Sequence, residues 1–364
     1  MTFLATRFGQ ANRTGDANAN FARVVKEEIM AQYENACLFK DKHTVVDTTG
    51  SGAYFMRLDA QSTATIDTRL AAITNGGTAT GFLPSSVSPS GNVPIYCDYT
   101  YQDVKTLTNY DLDRAPNKGQ ELDSAIERVG SSVARMWDVF VLLAVLRGAT
   151  VAQSIGGFPM GATAEILVGN NNTGDNITTG SLETALPSLQ AIFNRNNIPM
   201  MSGARMLALN PVVHAILGAS SKYANSFLGG SGSVSTGNVS MVQGFEVMST
   251  NQIPAAAITE ENKISEVLGT AYGGAGSTGA DPTFKQMGED PKNTYTGDNS
   301  KVVGVAWHPK AVVTGMWRRP EGWSTLDDSS VGKATDGILV GARQRSGTAP
   351  FYHPACGRIT WKAA

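Results

Sequence analysis

The longest periodic pattern of apolar and polar positions lies between Gly119 and Arg147. Its apolar residues recur at spacings of mostly three and four, which predicts one amphipathic α-helix of about 43 Å at 1.5 Å per residue. Asn117 and Gly148 are its predicted N-terminal cap and left-handed stop. Residues Val139–Leu146 are apolar on every side, so we predict that this end is buried while the first turns meet solvent or a partner. The predicted apolar face is Leu122, Ile126, Val129, Val133, Met136, Phe140 and Ala144.

The charged residues of this helix are predicted to face solvent or a neighbouring subunit. Charges outside an apolar stripe are typical of a helix that packs on one side, so we assign them no catalytic role. They are Glu121, Asp123, Glu127, Arg128, Arg135 and Asp138.

The N-terminal region predicts a polar, mobile arm followed by a helix. Met1–Ala19 is rich in Gly and Asn. Phe21–Leu38 has a helical period, and Asn18 or Asn20 could cap it. The apolar face of this predicted helix is Phe21, Val25, Ile29, Tyr33 and Ala36.

Two strand-like segments, Ala53–Leu58 and Asn92–Tyr101, flank a long stretch of low charge, Ala60–Gly91. Apolar and polar residues alternate along the second segment, as on a half-buried strand. Together they predict an extended hairpin that projects from the body. Because a two-stranded ribbon is marginally stable in water, we expect this arm to lie on a neighbouring subunit. The alternative is a surface insertion without such a role.

The rest of the chain predicts short helices and strands without regular βαβ alternation, which favours an α+β fold over a doubly wound one. Ser181 is a predicted cap of the helix Leu182–Asn196, and Pro187 should kink that helix or postpone its start. Asn210-Pro211 should open the helix Val212–Leu217. The remaining predicted elements are strands at Ala164–Val168, Arg205–Leu209, Val302–Trp307, Ile338–Gly341 and Gly357–Lys362, a β unit at Val239–Ser249, and a short helix at Lys310–Trp317.

Composition narrows the classes of function. The formal net charge of the 364 residues is −2, which gives no overall attraction to nucleic acid or to acidic lipid. Cys37, Cys97 and Cys356 are odd in number and far apart, which favours reduced thiols over a disulfide framework. The N-terminus lacks the apolar run of a signal peptide, and no stretch approaches the length of a membrane span.

No motif predicts a catalytic, cofactor-binding or metal site, and we expect no enzyme activity and no cofactor. GAGSTG at Gly274–Gly279 lacks the strand–turn–helix context of a dinucleotide site. SVGK at Ser330–Lys333 lacks a partner motif. The carboxylates of Asp327-Asp328 and of Glu260-Glu261 are adjacent in sequence and therefore point in different directions, so neither pair is a convincing acid–base pair. The four histidines, His43, His214, His308 and His353, have no metal-ligand spacing.

Two weaker chemical hypotheses stay open. The segment Trp317-Arg318-Arg319 could stack on and bind phosphate, or it could form an ion pair between subunits. A Cys/His hydrolase would predict that substitution of Cys97 or His308 abolishes turnover.

Several segments resemble, in their order and spacing, the major capsid protein of tailed bacteriophages, the Hong Kong 97-type fold. Ala53–Leu58 with Asn92–Tyr101 resembles that family's E-loop hairpin, and Gly119–Arg147 its spine helix. The axial domain of the family is similar to Leu182–Leu217, with its NNIPMMSGARMLALNPVVHAIL, and to VQGFEVMSTNQIP at Val242–Pro254. VVGVAWHPKAV at Val302–Val312 resembles its C-terminal strand segment. The order is closest to podophage-like forms.

The resemblance implies a division into five parts. These are an N-terminal arm and helix (1–43), the E-loop hairpin (44–101), the spine helix with the peripheral domain (102–178), the axial domain (179–300), and C-terminal strands that return to both domains (301–364).

The resemblance also implies a structural role. The chain would form pentamers and hexamers of an icosahedral phage head around double-stranded DNA, which it would contact without sequence specificity through patches such as Arg318-Arg319. An arm of about forty residues is too short for a fused scaffolding domain, so the implied partners are a separate scaffolding protein and a portal protein, with a decoration protein as an optional further partner and no membrane. The implied location is the virion, assembled in the host cytoplasm. An encapsulin-like compartment is the alternative.

Overall fold

The computed structural model of the chain describes residues 17–48, 53–59, 90–97, 99–108, 118–153, 155, 158–168, 177–200, 205–224, 232–233, 238–254, 257–259, 295, 297–324 and 337–363. Several predictions fall on residues outside these ranges. They are the first part of the N-terminal arm, most of the low-charge stretch Ala60–Gly91, the Asn117 cap, and the motifs Glu260-Glu261, Gly274–Gly279, Asp327-Asp328 and Ser330–Lys333.

The described residues form helices and mixed sheets. The helices are α1 (Ala17–Ala36), α2 (Lys118–Thr150), α3 (Thr179–Arg195), α4 (Pro211–Gly218) and α5 (Ser221–Ala224). The strands are β1 (Thr44–Asp47), β2 (Ala53–Asp59), β3 (Ser90–Tyr96), β4 (Tyr99–Thr108), β5 (Ala162–Val168), β6 (Met206–Leu209), β7 (Gly232–Ser233), β8 (Asn238–Val239), β9 (Met241–Val242), β10 (Phe245–Ser249), β11 (Ala257–Ile258), β12 (Gly297–Asp298), β13 (Val302–Trp307), β14 (Val312–Ser324), β15 (Gly337–Pro350) and β16 (Cys356–Ala363).

Helix α2 confirms the predicted long helix and its buried end. It spans 33 residues, about 50 Å, and residues 139–146 are at most 2% exposed. Gly148 is not its stop, because the helix continues to Thr150. A Cβ atom at Gly148 would lie 2.5 Å from the Cys356 Sγ atom. The glycine therefore permits close packing of α2 on β16, and the prediction of a left-handed cap is wrong.

The Gly148→Ala substitution should destabilise the protein by about 1–3 kcal/mol, because the added methyl group overlaps the Cys356 side chain. Gly180→Ala in α3 is the matched control, since nothing lies within 4 Å of its Cβ position. There the higher helix propensity of alanine should leave stability unchanged or raise it by up to about 1 kcal/mol. Denaturant unfolding of both variants checks the prediction, and equal effects would contradict it.

Helix α1 packs its predicted apolar face against α2. Val25, Ile29 and Tyr33 are at most 2% exposed. The helix already begins at Ala17, so the predicted caps Asn18 and Asn20 lie inside it and the last residues of the predicted arm are helical.

A four-stranded sheet with the order β1-β14-β15-β4 lies under α1 and α2. Polar side chains join the helices to its helix-facing side. The Tyr33 hydroxyl donates to Gln344 Oε1 at 2.7 Å, and the Trp137 indole N–H lies 3.4 Å from Thr314 Oγ1. The predicted helix Lys310–Trp317 is wrong, because this segment forms β14 between β1 and β15. Its Val-Val-Thr run favours a strand, and a short apolar run does not distinguish the two by period.

The predicted hairpin is present, but its second strand is divided. β2 pairs antiparallel with β3 from Ala53 opposite Tyr96 to Asp59 opposite Ser90. The rest of the predicted strand Asn92–Tyr101 belongs to β4, which pairs with β15 in the four-stranded sheet.

A six-stranded sheet with the order β5-β16-β13-β6-β10-β9 forms the second layer. The predicted strands at β5, β6, β13 and β16 are confirmed, with shifts of at most two residues at their ends. Helix α3 begins earlier than predicted, because its N-cap is Thr178 and Ser181 occupies the N3 position, where the two form a capping box. Pro187 lies inside the helix. Asn210 caps α4 as predicted, with its Oδ1 atom 3.0 Å from the Val212 amide.

Candidate functional site

The four histidines are bonded within the fold or packed against it. His43 is buried, its two ring nitrogens lie 2.7 Å from the Phe39 carbonyl oxygen and 2.9 Å from Thr314 Oγ1, and burial lowers its pKa to about 4. The His353 ring lies 2.6 Å from the Val151 carbonyl oxygen. Desolvation also lowers the pKa of His214 and His308. Within the described part of the chain, no three His, Cys, Asp or Glu side chains group as metal ligands.

The residues of the hydrolase hypothesis have structural contacts. The Cys97 thiol is buried, 3.3 Å from the Gly315 carbonyl oxygen and 3.4 Å from Thr48 Oγ1. His308 Nδ1 accepts from the Lys310 amide at 3.2 Å. All three cysteines are free thiols, as predicted.

Asp138 is the one charged residue of α2 whose predicted position is wrong. The other five predicted surface charges are exposed, whereas Asp138 is fully buried. Its carboxyl oxygens accept from the Leu38 amide at 2.9 Å and the Phe39 amide at 3.1 Å. Desolvation raises its pKa from 3.8 to about 7, although these amides oppose the shift. Asp138 therefore fixes the turn after α1.

The sequence did contain a signal for the burial of Asp138. The residue lies four positions after Ala134 and three before Val141, two apolar residues beside the predicted apolar face that are both buried. A carboxylate at such a position needs hydrogen-bond donors, and the turn after α1 supplies them.

Arg318 and Arg319 form ion pairs within the chain. Arg319 donates to Asp47 Oδ2 from Nε at 3.1 Å and from Nη2 at 2.9 Å. An Arg318 nitrogen lies 3.6 Å from Glu321 Oε1. The arginine that stacks on Trp317 is Arg345, whose guanidinium carbon lies 3.6 Å from the ring centroid. Sequence reasoning missed Arg345, because only strand pairing brings it to Trp317.

Arg205 is fully buried in the six-stranded layer. The sequence pattern gave no indication that this arginine is buried. Its guanidinium donates to the Pro199 carbonyl oxygen at 2.9 Å and to Asn194 Oδ1 at 2.7 Å, and it lies 5.5 and 5.7 Å from the ring centroids of Phe193 and Phe245. These contacts join the end of α3 to β10, which indicates a structural role.

The β2–β3 hairpin has one buried and one exposed side. Leu58, Val93 and Ile95 pack on the four-stranded sheet. Phe55, by contrast, is 59% exposed, the largest exposed fraction of any described aromatic residue, and lies opposite Pro94. A large exposed side chain on a two-stranded ribbon is a candidate contact with another molecule.

Helix α2 is long and apolar enough to cross a membrane by length and hydropathy, so the prediction that no stretch reaches this length is corrected. In this structure, 78% of its most apolar 18-residue stretch is buried inside the protein. A helix in a protein core can be as long and as apolar as a membrane span, and here the surrounding sheets cover the apolar surface of α2.

No family model matches the chain, and no curated protein matches it. Solved structures do. A chain in the capsid structure of cyanophage P-SCSP1u is 16% identical with a TM-score of 0.68, over 100% of this chain and 94% of that one. A chain of the bacteriophage PhiM1 mature capsid is 16% identical with a TM-score of 0.61, over 90% and 87%. A Mycobacterium phage Che8 structure is 12% identical with a TM-score of 0.50, over 90% of each chain.

These matches span nearly the whole of both chains, so they concern the complete arrangement of helices and sheets and no single motif. At such low identity, they establish the fold and leave function to be argued separately. The chain has the α+β, Hong Kong 97-type fold of tailed-phage capsid proteins, as the order of its sequence segments predicted.

Proposed function

We propose that this protein is the major capsid protein of a tailed bacteriophage, a structural subunit of an icosahedral head. The observation that carries the proposal is the fold shared with phage capsid chains over 100% and 90% of this chain. The contacts of the histidines and cysteines agree with it, since they are those of packing residues.

The proposed mechanism is mechanical. Five or six copies form rings, with α2 as the spine of each subunit, residues 179–300 as the axial domain and 102–178 contributing the peripheral domain. The β2–β3 hairpin, within the predicted E-loop segment 44–101, lies over an adjacent copy, and the surface of that copy covers Phe55. Each contact can be weak, because closure of a shell links many of them.

The proposed partners follow from this function. A separate scaffolding protein directs assembly in the host cytoplasm, a portal protein occupies one vertex, and the virion encloses double-stranded DNA that the subunits contact without sequence specificity. A decoration protein is a further proposed partner. The resemblance to podophage-like forms remains a prediction. The same holds for the assignment of residues 1–43 to an N-terminal arm and helix and of residues 301–364 to C-terminal strands.

Phe55→Asp should abolish shell formation while leaving the subunit folded. Because Phe55 is 59% exposed, the free energy of unfolding should change by no more than about 0.5 kcal/mol. A charge at a buried contact, in contrast, costs several kcal/mol in every copy. Negative-stain electron microscopy after co-expression with the scaffolding protein counts the shells.

Phe55→Tyr is the matched control and should assemble, since it keeps the ring. Wild-type protein that forms no shells would contradict the proposed function. Wild-type shells that form without any scaffolding protein and exclude DNA would favour the encapsulin-like alternative. Normal shells from Phe55→Asp would refute the contact assigned to the hairpin.

A further inference from the structure

The four-stranded sheet has an outer face, the one opposite α1 and α2, and only part of it is covered. The hairpin covers the half around Val313 and Ala349, which pack with Ile95. Strand alternation places Arg343 and Arg345 on the same face as Ala349, because side chains two residues apart on a strand point the same way. This second half of the outer face has no covering element among the described residues.

Three arginines gather on this uncovered half. Arg318 pairs with Arg345 across β14 and β15, and Glu321 pairs with Arg343, so the four side chains share one face. We call Trp317, Arg318, Glu321, Arg343 and Arg345 the arginine face. The neighbouring strand contributes exposed, uncharged residues at the paired positions on β4.

Among the described residues, the positive charge of the arginine face is only partly neutralised. The carboxylate of Glu321 forms ion pairs with both Arg318 and Arg343. No carboxylate in the described ranges lies within ion-pair distance of Arg345, and its Nε atom is buried without an acceptor. The ring of Trp317, 3.6 Å away, orients this guanidinium. Three positive charges thus face one negative charge. The side chains of Arg318, Glu321 and Arg343 are 40–53% exposed, and Arg345 is partly exposed.

We propose that the arginine face is an ion-pairing contact surface for carboxylates of a second copy of this chain. This inference rests on the proposed function and names a surface through which it operates. Arg345, held by Trp317, is its central residue, and Arg318 and Arg343 flank it.

Charge complementarity identifies the partner. The whole chain has a net charge of −2 and the arginine face a charge of +2, so the rest of each copy has a net charge of about −4 and can supply carboxylates. Position agrees, because the arginine face continues the sheet surface on which the hairpin lies. Arginine and tryptophan are also the residues most enriched at energetically important interface positions.

Duplex DNA fits the arginine face less well. Affinity for DNA phosphates is the sum of many cationic contacts, whereas this face offers three arginines, two of which share Glu321. A single carboxylate from another subunit matches one oriented guanidinium.

The test is the double substitution Arg318→Gln with Arg345→Gln, in the full chain co-expressed with the scaffolding protein. Glutamine removes the positive charge, and unlike an acidic residue it adds no negative charge that Glu321 would repel. The matched control is Arg128→Gln with Arg135→Gln, two exposed arginines of α2 whose removal changes the net charge equally. Sedimentation measures the yield of shells at low and physiological salt, circular dichroism and thermal unfolding report the fold, and a shift assay measures binding of duplex DNA.

The expected result is a yield of shells about tenfold lower for the arginine-face variant, with its melting temperature within a few degrees of the wild type and the control yield within about twofold. The wild-type yield should itself fall as salt rises. A normal yield from the arginine-face variant would overturn the inference while leaving the proposed function intact. A normal yield together with weaker DNA binding would assign the face to nucleic acid and would also overturn it. Absence of shells from the wild type would instead reject the proposed function.

Discussion

A subunit in which an Asn-Gly turn replaces residues 60–89 should fold and yet build no stable shells. Asp59 and Ser90 are paired across β2 and β3, so a two-residue turn can join them directly and leave the rest of the hairpin intact. The base of the hairpin also keeps its contacts with the sheet through Leu58 and Ile95. What the shortened chain loses is the segment that we expect to cover a neighbouring copy.

The measurement for this variant has two parts. Circular dichroism and denaturant unfolding should give a folded subunit close to the wild type, and sedimentation should give only small oligomers. A second chain, with residues 60–89 replaced by an equal number of Gly and Ser residues, separates length from sequence and should also fail to assemble. Normal particles from either chain would refute the role of the arm.

Substitution of Asp138 should produce the largest loss of stability among the polar residues of α2. Asp138→Ala removes the acceptor of the Leu38 and Phe39 amides, and each buried amide without a partner costs about 1–3 kcal/mol. We therefore expect a loss of about 2–4 kcal/mol at pH 8. Asp138→Asn keeps one acceptor oxygen and should lose less. Glu127→Ala, an exposed carboxylate of the same helix, is the control and should change stability by no more than about 0.5 kcal/mol.

The effect of Asp138 should also depend on pH. Its pKa is raised from 3.8 to about 7 in the folded state, so the folded protein binds this proton more tightly than the unfolded chain does. The associated stability is complete below about pH 3.8 and is lost as the pH rises through 7. The free energy of unfolding of the wild type relative to Asp138→Asn should thus increase from pH 8 to pH 5, by at most about 1.4 kcal/mol per pH unit. A difference that is constant with pH would contradict the assignment.

Elements with long, local patterns could be predicted from the sequence, and elements that depend on distant pairing could not. Helix α2 has many apolar residues at one period, and its existence and buried end followed from that. Segment Lys310–Trp317 is short and apolar, and it is a strand because β1 and β15 flank it. The predicted strand Asn92–Tyr101 is divided because its two parts pair with β2 and with β15.

The candidate contact surfaces were predictable only in part. The hairpin followed from two strand-like segments around a long stretch of low charge, but the exposure of Phe55 depends on which side of the ribbon packs on the sheet. The arginine face was out of reach, because Trp317 and Arg345 meet across paired strands whose register shifts twice near Arg318. Of the dipeptide Arg318-Arg319, Arg318 belongs to the arginine face, whereas Arg319 pairs with Asp47; the contact of this dipeptide with phosphate or with another subunit stays a prediction.

The central claim is that this chain builds a closed shell, and the mass of the particle that it forms tests this most directly. The purified protein, with and without co-expressed scaffolding protein, can be measured by analytical ultracentrifugation and imaged by electron microscopy. We predict megadalton particles with five- and six-fold rings of subunits when the scaffolding protein is present. Persistent monomers of 38.4 kDa under both conditions, with no shells in the images, would contradict the account.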